Sequence, residues 1–376
     1  MTALNNQYLL ACGLLACSIL PVHAGTVKIG HISALTGTYA FVGRSVANGV
    51  NMAAEELNQS GYFGQDKLEV LEADNGSDRG QAISLFNRML VRDKVQMVLG
   101  PISSAEALAV APIANKLQAP MMTVALSRDV LAAGPWSFKV TGSSEGPLTT
   151  MGRYAVEKMG TKNCFLISIR DNEGYVRQKN AFRDAVMAAG GKILSDETVL
   201  SSDSDFTALA TKLVNAKPDC TYIDAPPEQG ANIIIQAKQA GLPANVKIYS
   251  STTFASPRLI VAGGKQVEGV HFVADFAPGG TSEAGQKFSA NYQRKFSTAP
   301  DNWAAMGYTM MMVSAKAIKE AGGAAATPAK IKDALAGLKE VPVVIGKGSF
   351  SLDADRMPQY GTIIMQVKNG AFVQAN

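Results

Sequence analysis

Two adjacent serines at the start of a predicted helix give the clearest indication of chemistry in this chain of 376 residues. Ser103 and Ser104 follow the apolar run QMVLG, and Glu106 completes a capping-box pattern with Ser103. Such a pattern leaves hydroxyls and free backbone N–H groups at the positive end of a helix, which suits a carboxylate. We expect one serine to cap the helix and the other to face a ligand. A capping role alone is the alternative interpretation.

A second polar cluster ends the next apolar run, where the sequence reads TVALS from Thr123 to Ser127. Neighbouring parallel strands end at the same edge of a sheet, and open α/β sheets bind ligands at that edge. We therefore expect the two clusters to meet at the mouth of one domain. Together they predict an anion site more strongly than either does alone.

The sequence carries no motif typical of catalysis or of a metal site. Its three histidines, His23, His31 and His271, are neither next to a cysteine nor in HExxH spacing. No GxSxG, GxxxxGK[ST] or GxGxxG motif follows a predicted strand. The run DAD at 353–355 lacks the glycine and the distal glutamate of a calcium loop, which favours a turn. We expect a binding protein that is not an enzyme, with no cofactor and no metal.

These clusters lie within an alternation of apolar runs and amphipathic segments that occurs twice. Two such halves predict two α/β domains with a cleft between them, as the chain length also favours. The first half reads VKIGHIS, 43–58, KLEVLEADN, 79–93, QMVLGP, 104–118 and PMMTVA; the second reads CFLISIR, 175–189, KILSDETVL, 205–215, DCTYIDA, 229–241 and VKIYSS.

The last part of the chain follows a different pattern. Two helices are predicted at 283–296 and 302–321. A hairpin is predicted to follow, in which GSFSLDADR turns into TIIMQVKNGAFV, with a tight turn at Asn369-Gly370.

Composition is that of a globular protein, with 47% apolar and 18% charged residues. The net charge of +4 is spread along the chain and forms no basic stripe, so we expect no nucleic-acid partner.

The N-terminal segment resembles an export signal. An apolar stretch of about a dozen residues from Leu9 to Leu20 is too short to span a bilayer, and the small residues of VHA precede Gly25. We therefore expect residues 1–24 to be a signal peptide, although no lysine or arginine precedes the apolar stretch. The run LLAC offers an alternative, in which Cys17 is acylated and anchors the protein.

Two cysteines remain beyond that segment, Cys164 and Cys220, each at the start of a predicted strand. The first and third strands of a doubly wound half are usually neighbours, which would allow a disulfide. Two separate buried thiols are the alternative, because the geometry for bridging is demanding.

Several segments occur in an order that resembles a known family. They are KIGHISALTGTYAFVGRSVANGVNMAAEELN, VLGPISSAEALAVAPIANKLQAPMMTVA, the pair Gly174-Tyr175, IIIQAKQAGL, GYTMMMVSAKAIKEAG and GSFSLDADR. The chain resembles the periplasmic leucine/isoleucine/valine-type binding proteins of ABC importers. The resemblance implies a type I periplasmic binding fold, with two doubly wound lobes joined by a three-crossover hinge. It places one lobe at 25–142 plus 275–352 and the other at 143–274 plus 353–376.

The resemblance also implies positions for a ligand site. Hydroxyls that hold a ligand carboxylate would be Ser104 and Ser127, beside the backbone of Ala125. A covering aromatic ring from the other lobe would be Tyr175, and a late-helix aromatic would be Trp303. For each ring, ordinary core packing is the alternative.

A further aromatic position departs from the family pattern. This position is aromatic in the amino-acid binders of the family but is Val42 in this chain, and the neighbouring Phe41 could supply the aromatic ring instead.

One departure concerns charge. The amino-acid binders of this family place an acidic residue after the strand that reads IYSS here, to pair with the ligand ammonium, but this chain has Thr252 in that region. A threonine cannot neutralise an ammonium, and a buried unpaired charge is costly. Either Asp224 or Glu228 takes over that role, or the ligand has no amino group.

The implied function is ligand capture for import. We expect a monomeric periplasmic protein that closes on a branched-chain or other hydrophobic amino acid and delivers it to ABC permease and ATPase subunits. An aromatic or aliphatic carboxylate without an amino group is the alternative ligand. A ligand-sensing module for a signalling partner is the alternative from another functional class.

Overall fold

The computed structural model describes residues 24–143, 145–171, 173–277 and 282–375. Apart from Ala24, the expected signal peptide and its alternative, an acylated Cys17, lie outside the described residues.

The first part of the chain forms a five-stranded parallel sheet in the order β2-β1-β3-β4-β5. This is the order of a doubly wound sheet, with the ligand edge at the strand C-termini. Its strands are β1 (Thr26–Ser33), β2 (Lys67–Asp74), β3 (Met97–Leu99), β4 (Met121–Thr123) and β5 (Ser137–Lys139). The helices between them are α1 (Ala40–Gln59), α2 (Arg79–Val91), α3 (Ser104–Leu117) and the 3-10 helix Arg128–Ala133.

The second part forms a seven-stranded sheet in the order β15-β14-β10-β9-β8-β6-β7. Strands β6 to β10 run parallel, and β14 and β15 join the edge antiparallel. The strands are β6 (Asn163–Ile169), β7 (Lys192–Val199), β8 (Cys220–Asp224), β9 (Lys247–Ser250), β10 (His271–Ala274), β14 (Ile363–Lys368) and β15 (Ala371–Gln374). The helices are α4 (Glu145–Glu157), α5 (Glu173–Ala188), α6 (Thr207–Asn215), α7 (Pro227–Gln239), α8 (Pro257–Gly263) and the 3-10 helices Thr252–Phe254 and Gly264–Val267.

Between β10 and β14 the chain returns to the core of the first sheet. This segment contains α9 (Glu283–Phe296), α10 (Asn302–Ala321), the 3-10 helix Gly323–Ala325, α11 (Pro328–Ala336) and a small sheet of β11 (Val341–Pro342), β12 (Ser349–Leu352) and β13 (Pro358–Gln359). We call the first sheet, its helices and this segment lobe 1, and the seven-stranded sheet with α4 to α8 lobe 2.

Helices α1 and α10 pack at close range because of two glycines. A Cβ on Gly49 would lie 2.0 Å from the carbonyl oxygen of Ala304, and a Cβ on Gly307 would lie 2.2 Å from that of Val46. Both distances are shorter than any real contact, so the two helices depend on glycine at these positions. The contact fixes α10 to lobe 1.

The expected C-terminal hairpin is wrong in its first strand. The segment SFSL forms β12, which pairs with β11 and β13, whereas β14 pairs with β10 and β15. The predicted turn at Asn369-Gly370 is confirmed, since both residues have positive φ (54° and 68°) and connect β14 to β15.

A disulfide joins neighbouring strands of lobe 2. Cys164 on β6 is paired in register with Cys220 on β8, and their Cα atoms are 4.6 Å apart. The first of the two alternatives, a bridge between the first and third strands, is therefore the one observed.

The chain passes between the lobes after β5, after β10 and after β13. Tyr360 joins all three passages: its hydroxyl accepts a hydrogen bond from the Gly142 amide (2.7 Å) and donates one to Asp275 Oδ1 (2.8 Å). Asn302 binds the same segment, since its Oδ1 accepts from the backbone amides of Asp275 and Phe276. A buried polar network of this kind fixes how the three passages lie against one another.

Within the described ranges, no helix combines the length and the apolar character needed to cross a membrane.

Candidate functional site

The first wall of the candidate site is the start of α3. Ser103 caps this helix, because its hydroxyl accepts from the Glu106 amide (3.3 Å) while the Glu106 carboxylate accepts from the Ser103 amide (3.5 Å). The hydroxyl of Ser103 is therefore used within the protein. Of the two adjacent serines, Ser104 is the one left to face a ligand.

Ser104 links the two polar clusters at the sheet edge. Its Oγ accepts a hydrogen bond from the Ser127 amide (3.0 Å), so the segment after β3 contacts the segment after β4. Among the hydrogen bonds of the described residues, the hydroxyl proton of Ser104 has no acceptor. Ser104 is half-buried and can donate that proton to a bound carboxylate.

Ser127 and Ala125 already have partners within lobe 1. The buried Ser127 hydroxyl accepts from the Asp129 amide (3.2 Å) and caps the 3-10 helix Arg128–Ala133. The Ala125 amide donates to Thr123 Oγ1 (3.0 Å), and its carbonyl accepts from Thr141 Oγ1 (2.7 Å). The Ala125 amide, expected beside the serines as a ligand contact, is therefore occupied by Thr123.

Lys139 is a site residue that the sequence analysis missed. It ends β5 with no exposed surface, and its ammonium donates to the carbonyl of Leu126 (2.8 Å), one residue before Ser127. Burial lowers the pKa of Lys139 to about 7. Of the nearby charges on lobe 2, Glu145 raises this pKa and Arg177 lowers it. A lysine inside the apolar run WSFKV was the only sequence signal.

Tyr175 is the candidate aromatic residue from lobe 2. It lies in the first turn of α5 and packs on the core of that lobe. Burial holds its pKa well above the usual value, and Asp224 of lobe 2 and Tyr39 of lobe 1 raise that pKa further. The tyrosine is thus neutral and close to groups from both lobes.

Asp224 ends β8 as a fully buried carboxyl group enclosed by hydroxyls. Its Oδ1 accepts from Ser251 (2.6 Å) and Thr253 (3.4 Å), and its Oδ2 accepts from Tyr222 (2.8 Å). Burial raises the pKa of Asp224 to about 7, against the opposing effect of these hydrogen bonds. Ser251 and Thr253 reach Asp224 from the segment that directly follows β9.

Glu228 is paired with a cation. Its carboxylate forms an ion pair with Arg258 on α8, and both side chains are partly exposed. The guanidinium carbon of Arg258 also lies 5.1 Å from the centre of the Phe41 ring on lobe 1. This cation–π contact joins the lobes beside the cleft, and Arg258 is a second residue that the sequence analysis missed.

The remaining two candidates lie at the start of helices. Thr252 is buried and opens the 3-10 helix Thr252–Phe254, next to the hydroxyls around Asp224. Trp303 lies in the first turn of α10, half-buried against the core of lobe 1. The half-buried position of Trp303 is compatible with both of its interpretations, as a ligand contact and as a core residue.

A separate apolar cavity of about 220 Å³ lies between the lobes, and none of the candidate site residues lines it. Its walls include Pro257 and Phe372 of lobe 2 and Pro300 of lobe 1. In the part of the chain that the structure describes, no group of His, Cys, Asp and Glu side chains is arranged to hold a metal ion.

Comparison with known proteins covers nearly the whole chain. Residues 26–371 match a family model described as periplasmic binding protein. The Leu/Ile/Val-binding protein BraC3 of Rhizobium johnstonii is 25% identical over 346 residues, which are 90% of this chain and 91% of that protein.

Solved structures show the same architecture. The leucine binding protein LivK of Thermotoga maritima superposes with a TM-score of 0.82 at 26% identity, over 93% of this chain and 98% of that chain. A solute binding protein of an ABC transporter from Rhodopseudomonas palustris, solved with 3,4-dihydroxybenzoic acid, has a TM-score of 0.82 at 23% identity and covers 93% of this chain and 96% of its own. The second likeness is evidence of fold alone.

Proposed function

Because this chain belongs to the periplasmic binding protein family, we propose that it captures a small carboxylate between its lobes by hinge closure. It is the substrate-binding component of an ABC importer, as its relatives are. The ligands named for the relatives, branched-chain amino acids and 3,4-dihydroxybenzoic acid, have a carboxylate in common.

The observation that carries this proposal is that side chains of opposite lobes approach each other across the cleft. Arg258 of lobe 2 lies over the ring of Phe41 of lobe 1, with 5.1 Å between the guanidinium carbon and the ring centre. Tyr39 of lobe 1 is also among the groups that raise the pKa of Tyr175 of lobe 2. Closure of a hinge needs ligand contacts from both sides, because a ligand shifts the equilibrium only by its differential affinity for the closed form.

We assign the ligand contacts as follows. Ser104 donates to the ligand carboxylate, and Ser127 holds Ser104 in position through its amide. Lys139 lies behind them, and a bound carboxylate would favour its charged form. From lobe 2, Tyr175 covers the ligand and Thr252 contacts its far end. We place Phe41 and Glu228 at the rim of the cleft, where Arg258 contacts both. Asp224 lies beneath the surface of the cleft, and Trp303 is half-buried against the core of lobe 1.

We also propose lobe boundaries at the three passages. The first two follow the expected positions, after 142 and after 274. The third is placed at Tyr360, because β13 pairs with β12 and Arg356 donates to the carbonyls of Leu131 and Ser137 in lobe 1. The segment 353–359 then belongs to lobe 1.

The family is periplasmic, and we propose export through a signal peptide at 1–24, with acylation of Cys17 as the alternative. We further propose a monomer that docks on ABC permease and ATPase subunits. The relatives are solute-binding proteins, and we propose no enzymatic activity for this chain.

A thermal-shift screen tests the proposed function. The protein is unfolded, dialysed free of carried-over ligand and refolded, then heated with leucine, isoleucine, valine, phenylalanine, the matching 2-keto acids, benzoate and 4-hydroxybenzoate. A ligand at about 100 times its Kd stabilises by about 2.7 kcal/mol, which raises the unfolding midpoint by a few degrees. A shift with any of these carboxylates supports the proposal. No shift with the whole panel contradicts it.

A further inference from the structure

We infer that the ligand is a carboxylate that carries no amino group. This inference rests on the proposed function, since it concerns the ligand of the same cleft. An ammonium removed from water needs an anion or several acceptors as partners, and an unpaired buried charge costs several kcal/mol. An amino-acid ligand would therefore need an acid in the cleft that is free to pair with its ammonium.

Asp224 is unavailable because the protein already surrounds it. It has no exposed surface, and three hydroxyls, those of Tyr222, Ser251 and Thr253, donate to its two oxygens. An ammonium could reach the carboxyl only by displacing one of these donors. Burial also raises the pKa of Asp224 to about 7, so the group is a weak counterion at neutral pH.

Glu228 is unavailable for a different reason. Its carboxylate already pairs with the guanidinium of Arg258, and the same guanidinium covers Phe41 across the cleft. The pair as a whole is neutral, and a ligand that approaches from the cleft meets the cation as well as the anion. An ammonium would have to separate the pair.

Three other acids near the cleft also have partners. Asp171 accepts the Ser201 hydroxyl (2.6 Å), and Glu145 accepts the Ser143 hydroxyl (2.8 Å) and lies 3.7 Å from Arg177. Asp129 is exposed and accepts weakly from Ser127. None of these carboxylates is buried and aimed at a ligand.

The remaining groups that we assign to the cleft are a lysine and neutral hydroxyls. Lys139 lies behind the Ser104–Ser127 contact, and its ammonium has one hydrogen bond, to Leu126, among the described residues. Burial lowers the pKa of Lys139 to about 7, so this group carries part of its charge at neutral pH, as Asp224 does. A nearby ligand carboxylate favours the charged form of the lysine, whereas a ligand ammonium disfavours it. On the lobe 2 side, Tyr175 and Thr252 offer hydroxyls, which suit a keto, hydroxyl or aromatic group.

The test compares ligands that differ only in the amino group. Isothermal titration calorimetry measures the Kd of ligand-stripped protein for leucine, for 4-methyl-2-oxopentanoate, which has the same carbon skeleton, and for benzoate. We expect at least one amine-free acid to bind about 100-fold or more tightly than leucine. Equal or tighter binding of leucine overturns the inference and leaves the proposed function standing. Absence of binding by all three, and by the thermal-shift panel, overturns both.

Two variants, Thr252→Glu and Asp224→Asn, test whether the lack of an available acid causes the preference for amine-free ligands. Thr252→Glu adds an acid to the lobe 2 wall and is expected to raise the affinity for leucine relative to 4-methyl-2-oxopentanoate by about tenfold or more. Thr211→Glu, the same change on the exposed surface of α6, is the control and is expected to leave that ratio unchanged. If Thr252→Glu fails to fold, the wild-type comparison and the next variant still decide.

Asp224→Asn keeps the size of the side chain and removes its charge. We expect the ratio of leucine to keto-acid affinities to stay within about twofold of wild type. A selective loss of leucine binding of about tenfold or more would identify Asp224 as the partner of an ammonium and would overturn the inference.

Discussion

Ser103 and Ser104 are neighbours in sequence but have different partners, which gives a prediction for each. Ser104→Ala removes a hydroxyl whose proton is free for a ligand, so the carboxylate Kd measured by calorimetry should rise about tenfold or more. Ser103→Ala removes the α3 cap, so the free energy of unfolding measured in urea should fall by about 1 kcal/mol. The assignment would be wrong if Ser103→Ala raised the Kd and Ser104→Ala lowered the free energy of unfolding instead.

The buried carboxyl of Asp224 predicts a pH effect on stability. A raised pKa means that the folded chain holds this proton more tightly than the unfolded chain. The corresponding stability is complete below about pH 4, the usual pKa of an aspartate, and is lost as pH rises to about 7. The free energy of unfolding of wild type should therefore fall relative to Asp224→Asn between these pH values, by a few kcal/mol at most.

Urea unfolding of both proteins at a series of pH values measures this difference. Other buried carboxyls, such as Asp275 and Asp301, are common to both proteins and cancel in the comparison. A difference between the two proteins that does not change from pH 4 to pH 7 would show that Asp224 has the same pKa in the folded and unfolded chains, which contradicts a pKa raised by burial.

At this scale the sequence could predict only what is local. The capping box of Ser103 and Glu106 spans three residues and needs no knowledge of the fold. Lys139 gains its role from burial and from Arg177, and Arg258 gains its role from Phe41, and both of these groups are distant in sequence. The enclosure of Asp224 by Ser251 and Thr253 likewise depends on the pairing of β8 with β9.

Among the elements, the bridge between β6 and β8 gives a prediction about stability. The Cys164→Ser/Cys220→Ser variant should unfold at a lower urea concentration than wild type, with a loss of about 2–4 kcal/mol, because the bridge closes a loop between residues 56 apart in sequence. Treatment with dithiothreitol under denaturing conditions should reduce wild type to the stability of the variant and leave the variant unchanged. Equal stability of all forms would show that pairing of β6 with β8 alone sustains the sheet.

The predictability of each element follows the range of its contacts. The bounds predicted for α9 and α10 agree with the structure, because a helix is fixed by its own periodicity and caps such as Asp301. The α/β fold class with doubly wound lobes is also confirmed, since alternation is visible along the chain. The pairing of β12 was predicted wrongly because its partners, β11 and β13, carry too few residues to show a pattern.

At the scale of the whole molecule, the hinge network predicts the effect of a single hydroxyl. Tyr360→Phe removes the acceptor of the Gly142 amide and the donor to Asp275, so unfolding stability should fall by about 1–3 kcal/mol. Tyr62→Phe, which changes a half-buried tyrosine away from the hinge, is the control and should cost less than about 0.5 kcal/mol. Equal effects of the two variants would contradict the role of Tyr360.

The hinge itself could not be located residue by residue from the sequence. Gly142, Asp275 and Tyr360 come from three distant parts of the chain, and no local pattern marks them. Only the hydrogen bonds that Tyr360 makes to the other two residues join them into one network.

Small-angle X-ray scattering measures whether the lobes close on a bound ligand. The radius of gyration of ligand-stripped protein is recorded with and without saturating 4-methyl-2-oxopentanoate, benzoate or leucine. Any ligand that binds by calorimetry should lower the radius of gyration, because the lobes close on it. Binding with an unchanged radius of gyration would contradict closure, as would an unchanged curve with every carboxylate at saturating concentration.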